Sequence, residues 1–266
     1  MFNRQSQTYD FDLSTVQNIL RDIANPLNRI SEIIPDNAKV LDIGAGNGLL
    51  AYVLKENHNG LTIDGVEPDP HAAKLAVKNY RHFYTGVAED FIDIISKEDY
   101  DFIVLADVIE HVNDPLAFLK SICSRVDKKT RIILSIPNIA FGAVRISLLN
   151  GEFNYVDSGI IERTHIRFFT LKTIETLVSE LHMSIEKLYF LQRNILTSEI
   201  NLQKFQMDIC CFLKIIKDSF AWTYQFLVVL NKESVRTEKK IFGEIPKYPL
   251  FKFVLHKFLN RKNLTL

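Results

Sequence analysis

The sequence predicts an α/β fold, a mostly parallel sheet with helices on both faces. Two observations predict it. Short apolar runs alternate with stretches of helical periodicity between Lys39 and about Arg193, and most of these runs are apolar at nearly every position. Strands that bury both faces are typical of parallel sheets, because the crossover helices pack on either side. The chain of 266 residues is long enough for one large domain with a full core.

Seven apolar runs are expected to form the strands of this sheet. They are residues 40–43, 61–66, 82–85, 100–106, 130–136, 185–191 and 224–230. The third run is the shortest and least apolar, so it is the weakest strand prediction. Helical periodicity is expected over residues 49–56, 70–80, 115–126 and 171–181. Together these elements predict a seven-stranded sheet.

Three further segments complete the predicted organisation of the domain, which spans residues 1–233. Residues 1–36 form an N-terminal helical cover, in which a helix capped by Ser14 packs its apolar positions on the sheet edge or acts as a lid. These positions are Ile19, Leu20, Ile23, Leu27 and Ile30. Residues 138–167 are expected to be irregular, and a helical insertion at 198–220 to cover the substrate side.

The C-terminal tail, residues 234–266, has eight Lys or Arg residues against two acids. Its apolar residues recur at helical spacing, which predicts a basic amphipathic helix. They are Phe251, Val254, Leu255, Phe258 and Leu259. Such a helix can lie on an anionic membrane surface, and the alternative is that it packs on its own domain or on a partner subunit.

Composition sets limits on the class of protein. Basic and acidic residues number 32 each, so the formal net charge is zero. The protein as a whole therefore has no excess positive charge that would attract nucleic acid or an anionic membrane. The N-terminus carries acids and amides where a signal peptide would be apolar, and no run of eighteen apolar residues occurs. Only three cysteines are present, two of them adjacent, which favours a reducing compartment. We expect a cytoplasmic protein, with peripheral membrane contact only through the tail.

A glycine-rich turn follows the first strand. Gly44, Gly46 and Gly48 alternate there, and glycine lets the backbone approach a ligand closely. The next helix presents free amides toward such a ligand. A nicotinamide-dinucleotide site requires the spacing G-x-G-x-x-G, but Leu49 occupies the last position. An NAD-dependent oxidoreductase is therefore disfavoured.

The tighter glycine spacing resembles motif I of the class I S-adenosylmethionine-dependent methyltransferases, which have a Rossmann-like fold. The resemblance implies that the turn wraps the amino-acid end of the cofactor and that Glu67, at the end of the second strand, holds both ribose hydroxyls. The family's acidic residue near the adenine is replaced by Val87, so the Ala88 amide or Glu89 would make that contact, unless this stretch is a plain helix start. The implied cofactor-binding set is Asp42, Gly44, Ala45, Gly46, Gly48, Glu67, Pro68, Ala88, Glu89 and Ala106.

Polar side chains that can bind a metal follow the fourth strand. If a helical turn begins there, Asp107, Glu110 and His111 share one face at the carboxyl edge of the sheet, where α/β enzymes bind ligands. The segment resembles the E-x-x-E-H pattern of the ubiquinone-pathway O-methyltransferases and of the small-RNA 2′-O-methyltransferases. In both groups this pattern holds a divalent cation beside the acceptor hydroxyl. Asp107 departs from the pattern by its shorter reach.

The RNA group has a second histidine after a Pro-Asn pair, and Pro137-Asn138 and His165 lie at matching places here. The resemblance thus implies a metal site of Asp107, Glu110, His111 and His165 for Mn²⁺, Fe²⁺, Zn²⁺ or, less comfortably, Mg²⁺. Two alternatives stay open. His111 or His165 can act as a general base without metal, or Glu110 and His111 can be structural. The catalytic candidates are His111, His165 and Glu110.

The acceptor is the least constrained part of the prediction. Residues 162–169 resemble a stretch in methyltransferases of glycan assembly, where Arg163 and Arg167 can bind an anionic acceptor or pair with local carboxylates. The Asn/Asp-Pro-Pro-aromatic motif of base-directed N-methyltransferases is absent after the fourth strand. We expect O-methylation of a saccharide, glycolipid precursor or small hydroxyl compound. The alternatives are a metal-dependent RNA 2′-O-methyltransferase and a catalytically inactive S-adenosylmethionine-binding partner subunit.

Overall fold

The computed structural model describes residues 13–202 and 209–232. Within them, the strands are β1 (Lys39–Ile43), β2 (Thr62–Glu67), β3 (Phe83–Thr85), β4 (Phe102–Ala106), β5 (Arg131–Pro137), β6 (Ser184–Gln192) and β7 (Thr223–Asn231). They form one sheet in the order β3-β2-β1-β4-β5-β7-β6. Pairing is parallel from β3 to β5, and β7 runs antiparallel to both β5 and β6. The predicted seven-stranded, mostly parallel sheet is confirmed.

The described helices are α1 (Leu13–Arg21), α2 (Pro26–Ile33), α3 (Leu49–Asn57), α4 (Pro70–Ala76), α5 (Ile92–Ile95), α6 (Pro115–Arg125), α7 (Gly142–Leu149), α8 (Leu171–Glu180) and α9 (Ile209–Lys217). They cover both faces of the sheet, as predicted. On one face, Leu119 of α6 and Ile174 of α8 share a buried core with Leu105. On the other face, Ile30 of α2 and Leu54 of α3 share a core with strand residues. Neighbouring residues of β4 point to opposite faces, which explains its continuous apolar run.

The single N-terminal helix predicted from Ser14 to Ile30 is wrong, because the chain there forms α1 and α2. Pro26 occupies the first turn of α2, and the Asn25 side chain caps that helix by accepting a hydrogen bond from the Leu27 amide. Proline lacks an N–H and clashes with a preceding helical turn, so it starts a helix rather than continuing one.

The region after β5 also differs from the prediction. Residues 138–167 are not irregular throughout, because α7 forms within them. Val144 and Ile146 of α7 are buried in a core shared with Phe212 of α9 and with Trp222. Of the predicted helix at 198–220, residues 198–202 are not α-helical, and the described residues after them include α9 (Ile209–Lys217).

The predicted tail helix at 234–266 lies outside the described residues. Across the two ranges that the structure does describe, no helix is long and apolar enough to cross a membrane.

Candidate active site

The glycine turn after β1 is tied to β2. The amides of Gly44 and Ala45 both donate to the Val66 carbonyl, at 2.9 and 3.0 Å. All three glycines of the turn have positive φ, which costs glycine little. A Cβ added at Gly44 would lie 2.6 Å from Val108, whereas one at Gly46 would meet nothing within 4 Å. The backbone at Gly46 therefore borders open space at the carboxyl edge of the sheet.

Glu67 ends β2 beside this turn and is only 7% exposed. Its Oε2 accepts a hydrogen bond from the Gly46 amide and its Oε1 accepts one from the Asp69 amide, each at 2.8 Å. A carboxylate has about four acceptor positions, so these two bonds orient the group and leave capacity for two hydroxyl donors. This arrangement fits the recognition of a ribose.

Asp42 supports the turn from beneath. It is 2% exposed, and its Oδ2 accepts a 2.6 Å hydrogen bond from the Tyr80 hydroxyl. Burial raises the pKa of Asp42 to about 7, and the nearby Glu67 charge acts in the same direction while the Tyr80 hydrogen bond opposes it. The structure thus shows Asp42 buried and bonded to Tyr80, within electrostatic range of Glu67.

The raised pKa of Asp42 predicts a pH-dependent stability. Between its ordinary value of 3.8 and about 7, folded Asp42 holds a proton that the unfolded chain releases. The free energy of unfolding therefore falls as pH rises through this window. Asp42→Asn is expected to remove this decrease in the free energy of unfolding. The decrease is at most roughly 4 kcal/mol, because each unit of pKa difference between the folded and unfolded chain corresponds to about 1.36 kcal/mol.

Denaturant unfolding of the cofactor-free protein from pH 4 to 8 measures this effect. The matched control is Asp99→Asn, which changes an exposed carboxylate. An unchanged pH slope in Asp42→Asn would show that Asp42 does not titrate in this range.

The remaining predicted cofactor residues lie at the same edge. The Gly86 amide donates to the Glu67 carbonyl at 3.0 Å, which holds the loop after β3 against the end of β2. Ala88 is buried at the start of a short helical turn, whereas Glu89 and Pro68 are exposed and Ala106 is half-buried. Val87, which sequence reasoning treated only as a departure from the family, is 47% exposed. It therefore presents apolar surface at the loop that follows β3.

Asp107 does not join the predicted metal ligands. A single helical turn begins only at Ile109, so Asp107 precedes it, with a left-handed φ of 55°. Its Oδ1 accepts hydrogen bonds from the Ser135 hydroxyl, at 2.8 Å, and from the Gln225 amide. Asp107 retains solvent exposure, but surrounding protein removes enough water from its carboxyl to raise the pKa of Asp107 to about 6. The expected shared face of Asp107, Glu110 and His111 is therefore absent.

Glu110, His111 and His165 do come together. Within the described residues they form the cluster able to hold a metal ion, with one ligand atom from each within 4.8 Å of the others. The amides of Ile166 and Arg167 both donate to the Glu110 carbonyl, at 2.9 and 3.0 Å. These two bonds bring His165 to the end of β4 from a distant part of the chain.

Both imidazoles of the cluster are oriented by hydrogen bonds to backbone carbonyls. His111 Nδ1 lies 3.1 Å from the Thr164 carbonyl, and His165 Nδ1 lies 2.9 Å from the Ile160 carbonyl. A carbonyl only accepts, so each Nδ1 donates a proton to its carbonyl partner. The Nε2 of His165 is 4.0 Å from Oε1 of Glu110.

The Glu110 carboxylate is the least satisfied polar group of this site. It is 1% exposed, and neither oxygen has a hydrogen-bond partner in the described structure. Burial, with the Asp107 charge in addition, raises the pKa of Glu110 well above its usual range. A buried carboxylate without partners costs free energy unless something positive binds to it.

Glu162 is a site residue that sequence reasoning did not assign as a ligand. Its Oε2 lies 4.0 Å from His165 Nε2, and its Oε1 accepts a 2.6 Å hydrogen bond from the Thr164 hydroxyl. The separation of three residues between Glu162 and His165 was a signal for this proximity, but no motif pointed to it.

The two arginines proposed for an anionic acceptor have local partners. Arg163 pairs with Asp157 at 3.0 Å, and the Arg167 guanidinium donates to the Asn113 carbonyl. The structure therefore favours the alternative in which Arg163 and Arg167 stabilise the surface loops.

The fold and the glycine turn define a class of enzyme that the comparisons with known proteins identify. The family described as "Methyltransferase domain" matches residues 15–185, well over half of the chain. The chain therefore belongs to the methyltransferase domain family and is an enzyme that uses S-adenosylmethionine as methyl donor.

Relatives and solved structures agree with this assignment. The ubiquinone biosynthesis O-methyltransferase of Rickettsia bellii is 24% identical over 204 residues, which covers 75% of this chain and 82% of the relative. Magnesium protoporphyrin IX methyltransferase of Synechocystis, solved with bound SAH, matches with a TM-score of 0.53 and 15% identity, over 84% of this chain and 90% of that one. The small RNA methyltransferase HEN1 matches with a TM-score of 0.54 and 18% identity, over 90% of this chain and 28% of that one. The Rossmann-like fold is thus confirmed.

Proposed function

We propose that this enzyme methylates a hydroxyl oxygen of a saccharide, glycolipid precursor or other small hydroxyl compound, and that Glu110, His111 and His165 hold a divalent cation beside that hydroxyl. The observation that carries the proposal is the buried Glu110 carboxylate, which has two unpartnered oxygens and faces an imidazole nitrogen at 4.0 Å. The name of the Rickettsia relative, an O-methyltransferase, supports hydroxyl chemistry.

The separation of Glu110 and His165 fits a shared metal ion better than a direct hydrogen bond. Two atoms that share one ion at about 2.0–2.2 Å lie no more than about 4.4 Å apart. The distance of 4.0 Å between Glu110 and His165 satisfies that limit, and it exceeds the usual hydrogen-bond range of about 2.7–3.2 Å. Mixed imidazole and carboxylate donors suit Mn²⁺, Fe²⁺ or Zn²⁺.

The other residues of the site position the reactants. Gly46 and Glu67 bind the cofactor at one end of the carboxyl edge, and the cluster lies after β4 at the same edge. A bound cation would lower the pKa of the acceptor hydroxyl and orient it. Since the methyl donor is already activated, holding an ionised oxygen near the methyl group supplies most of the remaining rate increase.

Transfer of a labelled methyl group tests the proposal. The enzyme and labelled S-adenosylmethionine are incubated with separate small-molecule, glycan, lipid and RNA fractions, with and without a chelator. We expect label in a hydroxyl compound as a methyl ether, lost in chelator and restored by Mn²⁺.

Three outcomes would contradict the proposal. Label found only at the 2′ oxygens of RNA would support the RNA alternative instead. Full activity in excess chelator would exclude a required metal ion and would favour a histidine that acts as general base. Tight cofactor binding with no transfer to any fraction would favour an inactive partner subunit.

A further inference from the structure

Arg193 occupies an exposed position at the acceptor end of the sheet. It directly follows β6, and its amide donates to the Trp222 carbonyl at 3.1 Å, next to the start of β7. Its guanidinium lies over the Tyr224 ring, 4.3 Å from the centroid. Arginine stacks well on aromatic faces, and stacking leaves the N–H groups at its edge available as donors.

The Tyr224 ring is held in place by contacts that reach the proposed metal site. Its hydroxyl donates to Oε1 of Glu199 at 3.1 Å, and the Ile160 amide donates to the same oxygen at 3.0 Å. The Ile160 carbonyl in turn accepts the proton of His165 Nδ1. Three hydrogen bonds therefore connect the platform beneath Arg193 with the imidazole of His165.

Two other arginines, unlike Arg193, form ion pairs with carboxylates. Arg163 pairs with Asp157, and Arg145 pairs with Asp218 at 2.6 Å. Arg193 makes no ion pair with any carboxylate in the described part of the chain. Its positive charge lowers the pKa of Asp107, so the guanidinium lies within electrostatic range of the end of β4.

The two nearby acids accept hydrogen bonds from groups other than Arg193. The Glu199 carboxylate is engaged by Tyr224 and Ile160, and the Asp107 carboxylate is engaged by Ser135 and Gln225. A planar guanidinium with free N–H edges binds a phosphate or carboxylate through paired hydrogen bonds. An anionic group of the substrate is the ligand that this arrangement suits.

We propose that Arg193, stacked on Tyr224, binds a phosphate or carboxylate group of the methyl acceptor. The acceptor is then a hydroxyl compound that carries one of these anions. The identification of the anion as part of the methyl acceptor rests on the proposed function. Anion binding itself is measurable without catalysis.

Calorimetric titration of the full chain, metal-stripped and saturated with S-adenosylhomocysteine, tests the inference. The probes are phenyl phosphate and benzoate, with benzyl alcohol as the neutral analogue. We expect one or both anions to bind and benzyl alcohol to bind more weakly. Arg193→Gln should weaken anion binding by roughly tenfold or more. The stronger of the two probes identifies the anion as phosphate or carboxylate.

Arg163→Gln is the matched control, and its anion affinity should equal that of the wild type. If Arg193→Gln unfolds, Arg193→Lys keeps the charge without the planar donor edge and should bind with intermediate affinity. Equal anion affinity in wild type and Arg193→Gln, or no anion binding at all, would overturn the inference. If anion binding depends on Arg193 while no fraction accepts a methyl group, the proposed function fails and the anion site stands.

Discussion

Replacing Glu67 with Gln is expected to weaken S-adenosylmethionine binding by roughly 100-fold or more, since hydrogen bonds to a charged acceptor contribute about 1.5–3 kcal/mol each. The variant keeps the size of the side chain but removes the negative charge that would accept both ribose hydroxyls. It also places an amide N–H₂ near the Gly46 or Asp69 amide, each of which donates to the present carboxylate. Calorimetric titration with the cofactor measures the loss.

Glu56→Gln is the matched control for this prediction, because Glu56 is an exposed carboxylate on α3. Its cofactor affinity should equal that of the wild type. Thermal unfolding of Glu67→Gln without ligand shows whether the turn itself is intact. Unchanged cofactor affinity in a folded Glu67→Gln variant would remove Glu67 from the binding site.

Replacing Glu110 with Gln is expected to have opposite effects on stability and on activity. At neutral pH the metal-free variant should unfold at a higher temperature, because burial raises the pKa of Glu110 well above its usual range and the neutral amide avoids the cost of burying an ionisable carboxyl. Turnover should fall at least about 100-fold, since the cluster loses its buried anionic ligand. Cofactor affinity should not change, because Glu67 and Gly46 are intact.

These opposite signs separate the three interpretations of the cluster. A structural role for Glu110 predicts lower stability in the variant, and a metal-free histidine base predicts turnover that is insensitive to chelator. Glu180→Gln, on the exposed end of α8, is the control and should leave both quantities unchanged. A destabilised Glu110→Gln variant with normal turnover would exclude the proposed role.

The parts of the structure that were predictable from sequence depend on local signals. Apolar runs gave the strands because parallel strands bury both faces, and β4 is one such run. The turn at Gly44 and Gly46 was predictable because positive φ and close approach require glycine. Glu67 followed from its position at the end of β2.

The errors arose where distant parts of the chain determine the local structure. Asp107 was expected to join the metal ligands, but Ser135 and Gln225, which lie far along the chain, hold its carboxylate. Arg193 carries no motif, and its stacking on Tyr224 depends on the pairing of β6 with β7. Helix α7 was missed because its apolar residues face a core that is completed by residues far along the chain, among them Phe212 of α9 and Trp222.

Diffraction from crystals grown with Mn²⁺ and S-adenosylhomocysteine, with anomalous data near the manganese edge, is the most direct test of the proposed cluster. We expect one anomalous peak bounded by Glu110 and by the Nε2 atoms of His111 and His165, and no such peak in Glu110→Gln crystals. A peak elsewhere, or none in a wild-type crystal of an enzyme that is fully active in chelator, would show that these three residues do not bind the acceptor's hydroxyl through a metal.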